Sequence, residues 1–144
     1  MATRRFLYWR DPLCIATWAG YWLNRELIKP LTLHHDVFFH GYFNDLICVP
    51  CFLPLALFVS RKIGLRRHDA PPTPFELITY WAVWSIFFEV IGPRLPSIYP
   101  NTVADPWDVL AYAVGTAVGA VVWWSPMYAR LGSVIAAAVQ RRAR

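Results

Sequence analysis

Charge is scarce in this chain. Its 144 residues include 14 Lys or Arg and 9 Asp or Glu, so only 16% are charged. An ordinary soluble domain carries about a quarter. Also missing are a repeat of fixed period and a low-complexity tract, so one compact unit over residues 1–144 is expected. Cysteine is sparse, with three in all. Cys48 and Cys51 stand in "CVPC", the spacing of a redox or metal motif, but no basic residue lies beside them to stabilise a thiolate. They and Cys14 read as small apolar side chains. No G-x-S-x-G, Walker loop or dinucleotide fingerprint occurs, so no motif marks the chain as an enzyme.

What is plentiful is apolar surface. Hydrophobic residues make up 57%, with 8 Trp, 7 Tyr and 9 Phe. Trp and Tyr favour bilayer interfaces. Four stretches suit a spanning helix: residues 12–28, 42–60, 75–91 and 106–124. Each lies near the short limit of about 17 residues. The first is the least apolar, because Asn24, Arg25 and Glu26 fall near its end. Pro50 and Pro54 kink the second and free carbonyls that need another partner. "HDAPPTPFE" is a proline-rich turn before the third. The expected fold is all-α: four transmembrane helices, then a short amphipathic segment, "PMYARLGSVIAAAVQRRAR", lying on the inner face. A cleaved signal peptide is the rival reading of the first helix, but Arg10 and Asp11 interrupt its start.

The distribution of charge supports four passes. Arg4, Arg5, Arg10, Arg61, Lys62, Arg66, Arg67, Arg130, Arg141, Arg142 and Arg144 fall on one side, and only Arg25, Lys29 and Arg94 on the other. Cytoplasmic loops are the ones rich in Lys and Arg, so both termini are expected in the cytoplasm, with the chain in a bacterial inner membrane. Acids run the other way: Glu26, Asp36, Asp45, Glu89, Asp105 and Asp108 are outside, against Asp11, Asp69 and Glu76 inside. The basic residues are scattered beside apolar spans, which suits the surface of a lipid bilayer and not nucleic acid.

"ADPWDVLAYAVGTAVGAVVWW" sets two aspartates at the mouth of an uncharged helix. Asp105 precedes Pro106 and is read as its N-cap, while Asp108 meets the positive end of the helix dipole. Asp11-Pro12 repeats the device. Ala111, Gly115 and Gly119 follow four apart, a flat stripe that lets another helix approach. That helix belongs to the same chain or to a second copy, so a homo-oligomer through the fourth helix is one expectation. Three outer helix ends carry polar groups to one depth: Asn44 and Asp45, then Glu89, then Asp105 and Asp108, with Tyr112 one turn below and Arg94 in the adjoining loop. Such groups at membrane depth are ligand-binding candidates for a divalent cation, a proton relay or a cationic solute. Their bland reading is helix capping and headgroup contact. "HHDVFFH" adds His34, His35, Asp36 and His40 as metal candidates, against the simpler reading of an aromatic interfacial loop.

Glu89, then Pro93-Arg94, then "DPWDVLAYAVGTAVG" resembles the core of VanZ-like membrane proteins, with Tyr112 where that family commonly has asparagine. Tyr42, Asn44, Asp45, Phe88, Glu89, Pro93, Asp105, Asp108, Val109, Tyr112 and Gly115 are similar to a pattern in short bacterial multi-pass membrane proteins, some labelled magnesium–citrate transporters. That resemblance implies a site on Asp45, Glu89 and Asp108. The expected function is binding or passage of a small polar solute or divalent cation through an outward-facing acidic pocket. The alternatives are an accessory membrane protein that packs partner helices, a VanZ-like envelope protein without enzymatic activity, or an enzyme using Glu89 or Asp108 as general base.

Overall fold

Proline sets where three of the four long helices begin. Its fixed φ suits the first helical turn, and its missing N–H costs nothing there. Helix α1 (Pro12–Leu23) follows Asp11, whose side chain accepts from the Leu13 and Cys14 amides. Helix α3 (Pro74–Ser85) follows Thr73, which forms a reciprocal capping box with Glu76. Helix α4 (Pro106–Trp124) follows Asp105, which accepts from the Trp107 amide. Helix α2 (Phe43–Lys62) is entered instead through a π turn, Phe38–Tyr42. The computed structural model describes residues 5–32, 36–95, 97, 104–131, 134 and 141; these are helices and connecting turns, with no strand among the described residues.

Helices α1 and α3 also run on through π turns, Asn24–Ile28 and Ile86–Ile91. The first leads to Lys29–Leu31 and the second to a tight turn, Gly92–Arg94. Three continuous helices are long and apolar enough to cross a membrane: Phe38–Lys62, Pro74–Arg94 and Pro106–Trp124. The last matches its expected bounds, and the other two extend beyond theirs. The first expected span is not in this set, because Arg25, Glu26 and Lys29 interrupt its second half.

The helices alternate in direction. Trp123, at the end of α4, and Tyr128, just beyond it, bond to Asp11 at the start of α1. Asn24, beyond α1, bonds to Asn44 at the start of α2. One end of the bundle therefore gathers Asp11, Arg66 and Glu76, and the other Asp45, Glu89 and Asp105. We call them the arginine end and the carboxylate end. The closest pairing is α2 on α4, flanked by α1 against α2 and α3 against α4. The buried core is small and aromatic: Phe6, Val49, Leu53, Leu57, Leu77, Tyr112 and Trp123. The outside is strongly apolar, with Phe75 78%, Val121 70% and Ile78 62% exposed. Apolar surface on this scale needs a cover, and lipid supplies one. This is a multi-pass membrane architecture in contact with a bilayer.

The small-residue stripe is filled from within the chain. A Cβ on Gly115 would overlap the Leu46 carbonyl of α2, and one on Gly119 would sit 2.9 Å from the Trp123 ring and 3.5 Å from Pro50. Gly115 and Gly119 are buried and Ala111 half-buried. The glycines of the stripe therefore face α2 of the same chain. After α4, residues 126–131 are helical; Tyr128 is buried while Met127 and Leu131 are exposed. Most of the expected amphipathic segment lies outside the described residues. The three cysteines are free and buried, as apolar packing requires.

Candidate functional site

At the carboxylate end, α2 supplies Asp45, the α3 π turn supplies Glu89, and α4 supplies Asp105, Asp108 and Tyr112. Tyr112 is the joint. It is 3% exposed, and its hydroxyl lies 3.3 Å from Asp45 Oδ1 and 3.3 Å from Glu89 Oε1. Glu89 Oε2 also accepts from the Asp105 amide at 2.7 Å. Asp105 caps its own helix as expected, accepting from Trp107 at 2.9 Å. Asp108 lies in the first turn of α4, and its charge acts through space on Asp45. Three helices thus bring carboxyls to one place around a buried phenol.

A phenol carries one proton. It donates to Asp45 or to Glu89, not to both at once. A proton or a cation shared there satisfies the second contact. Positive charge nearby is thin. Lys29 is the cation acting on Asp45, and its Nζ donates to the His40 carbonyl at 3.0 Å. Arg94 does not join the site. It is exposed and donates to the Val90 carbonyl at 3.2 Å.

Asn24 was missed by sequence reasoning, which saw it only as an interruption. It is fully buried and donates to Asn44 Oδ1 at 2.9 Å and to the Phe39 carbonyl at 3.0 Å. Asn44 therefore positions a neighbouring helix and is not shown facing Asp45. The three π turns all lie at this end of the bundle. Such turns recur at functional sites, because they turn side chains out of the regular helical order. No hydrophobic periodicity marks them in the sequence.

Of the histidine segment, the described residues Asp36 and His40 are engaged locally. His34 and His35 lie outside the described residues. Asp36 accepts from the Phe39 amide at 3.3 Å, and His40 Nε2 pairs with Thr32 at 3.1 Å. Among the described residues, no three His, Cys, Asp or Glu are grouped to hold a metal ion.

The arginine end carries a second polar network. Arg66, 4% exposed, donates to Glu76 at 2.6 Å, to the Ala70 carbonyl at 2.6 Å and to the Tyr8 hydroxyl at 2.9 Å. Burial works against its charge, but the Glu76 carboxylate outweighs that and holds the guanidinium above its usual value. Tyr8 in turn donates to Asp69 at 2.6 Å, and that bond, with the Arg61 ion pair, holds the Asp69 carboxyl below its usual range. The T-P-x-E spacing of Thr73 and Glu76 is a capping-box signal in the sequence that could have pointed here.

No family model matches the chain, and neither a curated protein nor a solved structure matches it.

Proposed function

We propose that this is a four-pass protein of a bacterial inner membrane whose carboxylate end binds a small cationic group or a proton. The observation that carries this reading is Tyr112, one hydroxyl held between Asp45 and Glu89 at equal distance. Several carboxyls gathered around one buried phenol repel one another, and a bound proton or cation relieves that repulsion. The spread of ligands over α2, α3 and α4 supports the same reading, since a bound cation would draw three helices together.

The fourth pass is α1. Its helix continues from Pro12 to Leu31, about 30 Å at 1.5 Å per residue, antiparallel to α2. Its three charged residues lie within about two turns of the carboxylate end, where they can reach headgroups. Arg10, Arg61, Lys62, Arg66 and Arg67 then share the cytoplasmic side with both termini. We also propose kinship with the short bacterial membrane proteins that carry the same Tyr, Asn-Asp, Glu and Asp pattern. Transport by them does not by itself define a substrate for this chain.

Tyr112→Phe tests the site. Thermal unfolding of detergent-purified protein is followed with and without small primary and quaternary ammonium ions, Mg2+ and citrate. A ligand that binds only the folded form raises its midpoint. A shift with an ammonium ion in the parent, lost in Tyr112→Phe and in Asp108→Asn, is the expected result. No shift with any of these in the parent, at any pH, removes the cation-binding reading and leaves the carboxyls as helix caps.

A further inference from the structure

On the flank of the bundle, α3 and α4 diverge to leave a groove of about 310 Å³. Its floor is Ala113, Ala117 and Ala120 of α4, and its far wall is Leu77, Ile78 and Trp81 of α3. Thr116 also lines it, with its hydroxyl given to the Tyr112 carbonyl at 2.7 Å, and the indole N–H of Trp81 is given to the Val109 carbonyl; the other side chains named here are apolar. Pro74 and Trp124 close the groove toward the arginine end. Trp124 donates its indole N–H to the Pro72 carbonyl at 2.9 Å, so the loop before α3 is fastened at the groove mouth. That same loop carries Arg67, which is exposed, beside an Arg66 already engaged by Glu76.

We propose that this groove holds an acyl chain of an anionic phospholipid whose headgroup sits at the arginine end. The inference rests on the membrane reading but not on the carboxylate site. Charge decides the occupant. A helix from a partner would fill the apolar part equally well, but it would not need a cation at the mouth. An anionic lipid uses both parts: the chain takes the alanine-floored channel, and the headgroup meets the exposed Arg67 on the loop that Trp124 fastens at the mouth. Basic pockets between helices on the cytoplasmic side recognise such headgroups. Tryptophan at the mouth fits the same depth, since its ring prefers the boundary between chains and headgroups.

The test uses the whole chain, delipidated in detergent, with phosphatidylglycerol or phosphatidylcholine of the same acyl chains added back. Thermal midpoint and co-purified lipid mass are both read. The expected result is a rise of several degrees with phosphatidylglycerol and a clearly smaller one with phosphatidylcholine. Ala117→Phe fills the floor and should abolish the difference. Arg67→Gln, at an exposed position, should reduce it while leaving the lipid-free midpoint unchanged. Should Ala117→Phe fail to fold, Ile78→Trp fills the groove from its opposite wall. Equal shifts with the two lipids overturn the proposal. So does a lipid preference that survives the filled groove, or a change in oligomeric mass on filling it, which would make a second copy the occupant. Loss of cation binding in Tyr112→Phe has no bearing on these readings, so the two sites fail separately.

Discussion

Gly115 shows how one missing methyl group sets the spacing of two helices. Pro50 has no N–H, so the carbonyl of Leu46, four residues earlier, loses its partner within α2. That carbonyl points to where a Cβ on Gly115 would be. Proline frees the oxygen and glycine gives it room. Neither residue explains the other in isolation. Gly115→Ala drives a side chain into backbone, which cannot move aside as a flexible side chain would. The expected cost is about 3 kcal/mol, the upper part of the usual overpacking range. Thermal or denaturant unfolding in detergent measures it. Gly41→Ala is the control, since a Cβ there meets nothing within 4 Å. A Gly115→Ala protein as stable as the control would mean that α2 and α4 do not approach as closely as described.

At the scale of elements, the start of α1 and the segment before it form a clamp over the arginine end. Asp11 is fully buried, and one of its oxygens accepts from Leu13 at 3.1 Å, Cys14 at 3.4 Å, Trp123 at 3.0 Å and Tyr128 at 2.6 Å. A capping residue here also ties α1 to the far end of α4. Asp11→Ala removes a cap and strands two buried donors, an expected loss of roughly 2–4 kcal/mol. Asp11→Asn keeps an oxygen acceptor and should recover part of it, a difference that chemical unfolding resolves. In front of α1, Tyr8 adopts a left-handed backbone, φ 53°, uncommon for a residue with a side chain. Its bond to Asp69 helps hold it there. The folded carboxyl of Asp69 lies below its free value, so the clamp gains stability from it above about pH 3.9. That contribution is lost as pH falls through the lower folded value. Hydrogen-exchange protection at residues 6–10, taken relative to the intrinsic rate at each pH, should therefore fall in acid, and Asp69→Asn should flatten that response while lowering protection at neutral pH. An unchanged acid response in Asp69→Asn would assign it to other carboxyls.

Across the whole molecule, some features were legible from residues and some were not, for physical reasons. Helix α4 was legible at both ends, because Asp105-Pro106 fixes its start and Ser125-Pro126 stops it after Trp124. The meeting of Asp45, Glu89 and Tyr112 was legible as a shared depth, since span lengths alone align the helix ends. Their bonds were not, because the turn of each helix about its own axis is set by packing such as Gly115 on Leu46. The buried Arg66 was hidden by composition. An arginine in a loop reads as a surface charge until Glu76 and Tyr8 are seen around it. The π turns leave no periodic trace at all. Topology joins these scales, because the alternation of helices places Arg67 at one end and Ser97 at the other. Both are exposed, while the native Cys14, Cys48 and Cys51 are buried and should stay silent to a thiol reagent. A membrane-impermeant maleimide applied to spheroplasts should label Ser97→Cys at once and Arg67→Cys only after the membrane is opened. The reverse order would invert the protein in the membrane and turn the carboxylate site to the cytoplasm. Equal labelling of both before lysis would mean that the helices between them do not cross. The even number of passes then depends on α1 alone, and Arg5→Cys decides it. Labelling only after lysis puts the N-terminal segment on the side of Arg67, as the bonds from Tyr8 to Asp69 and Arg66 require.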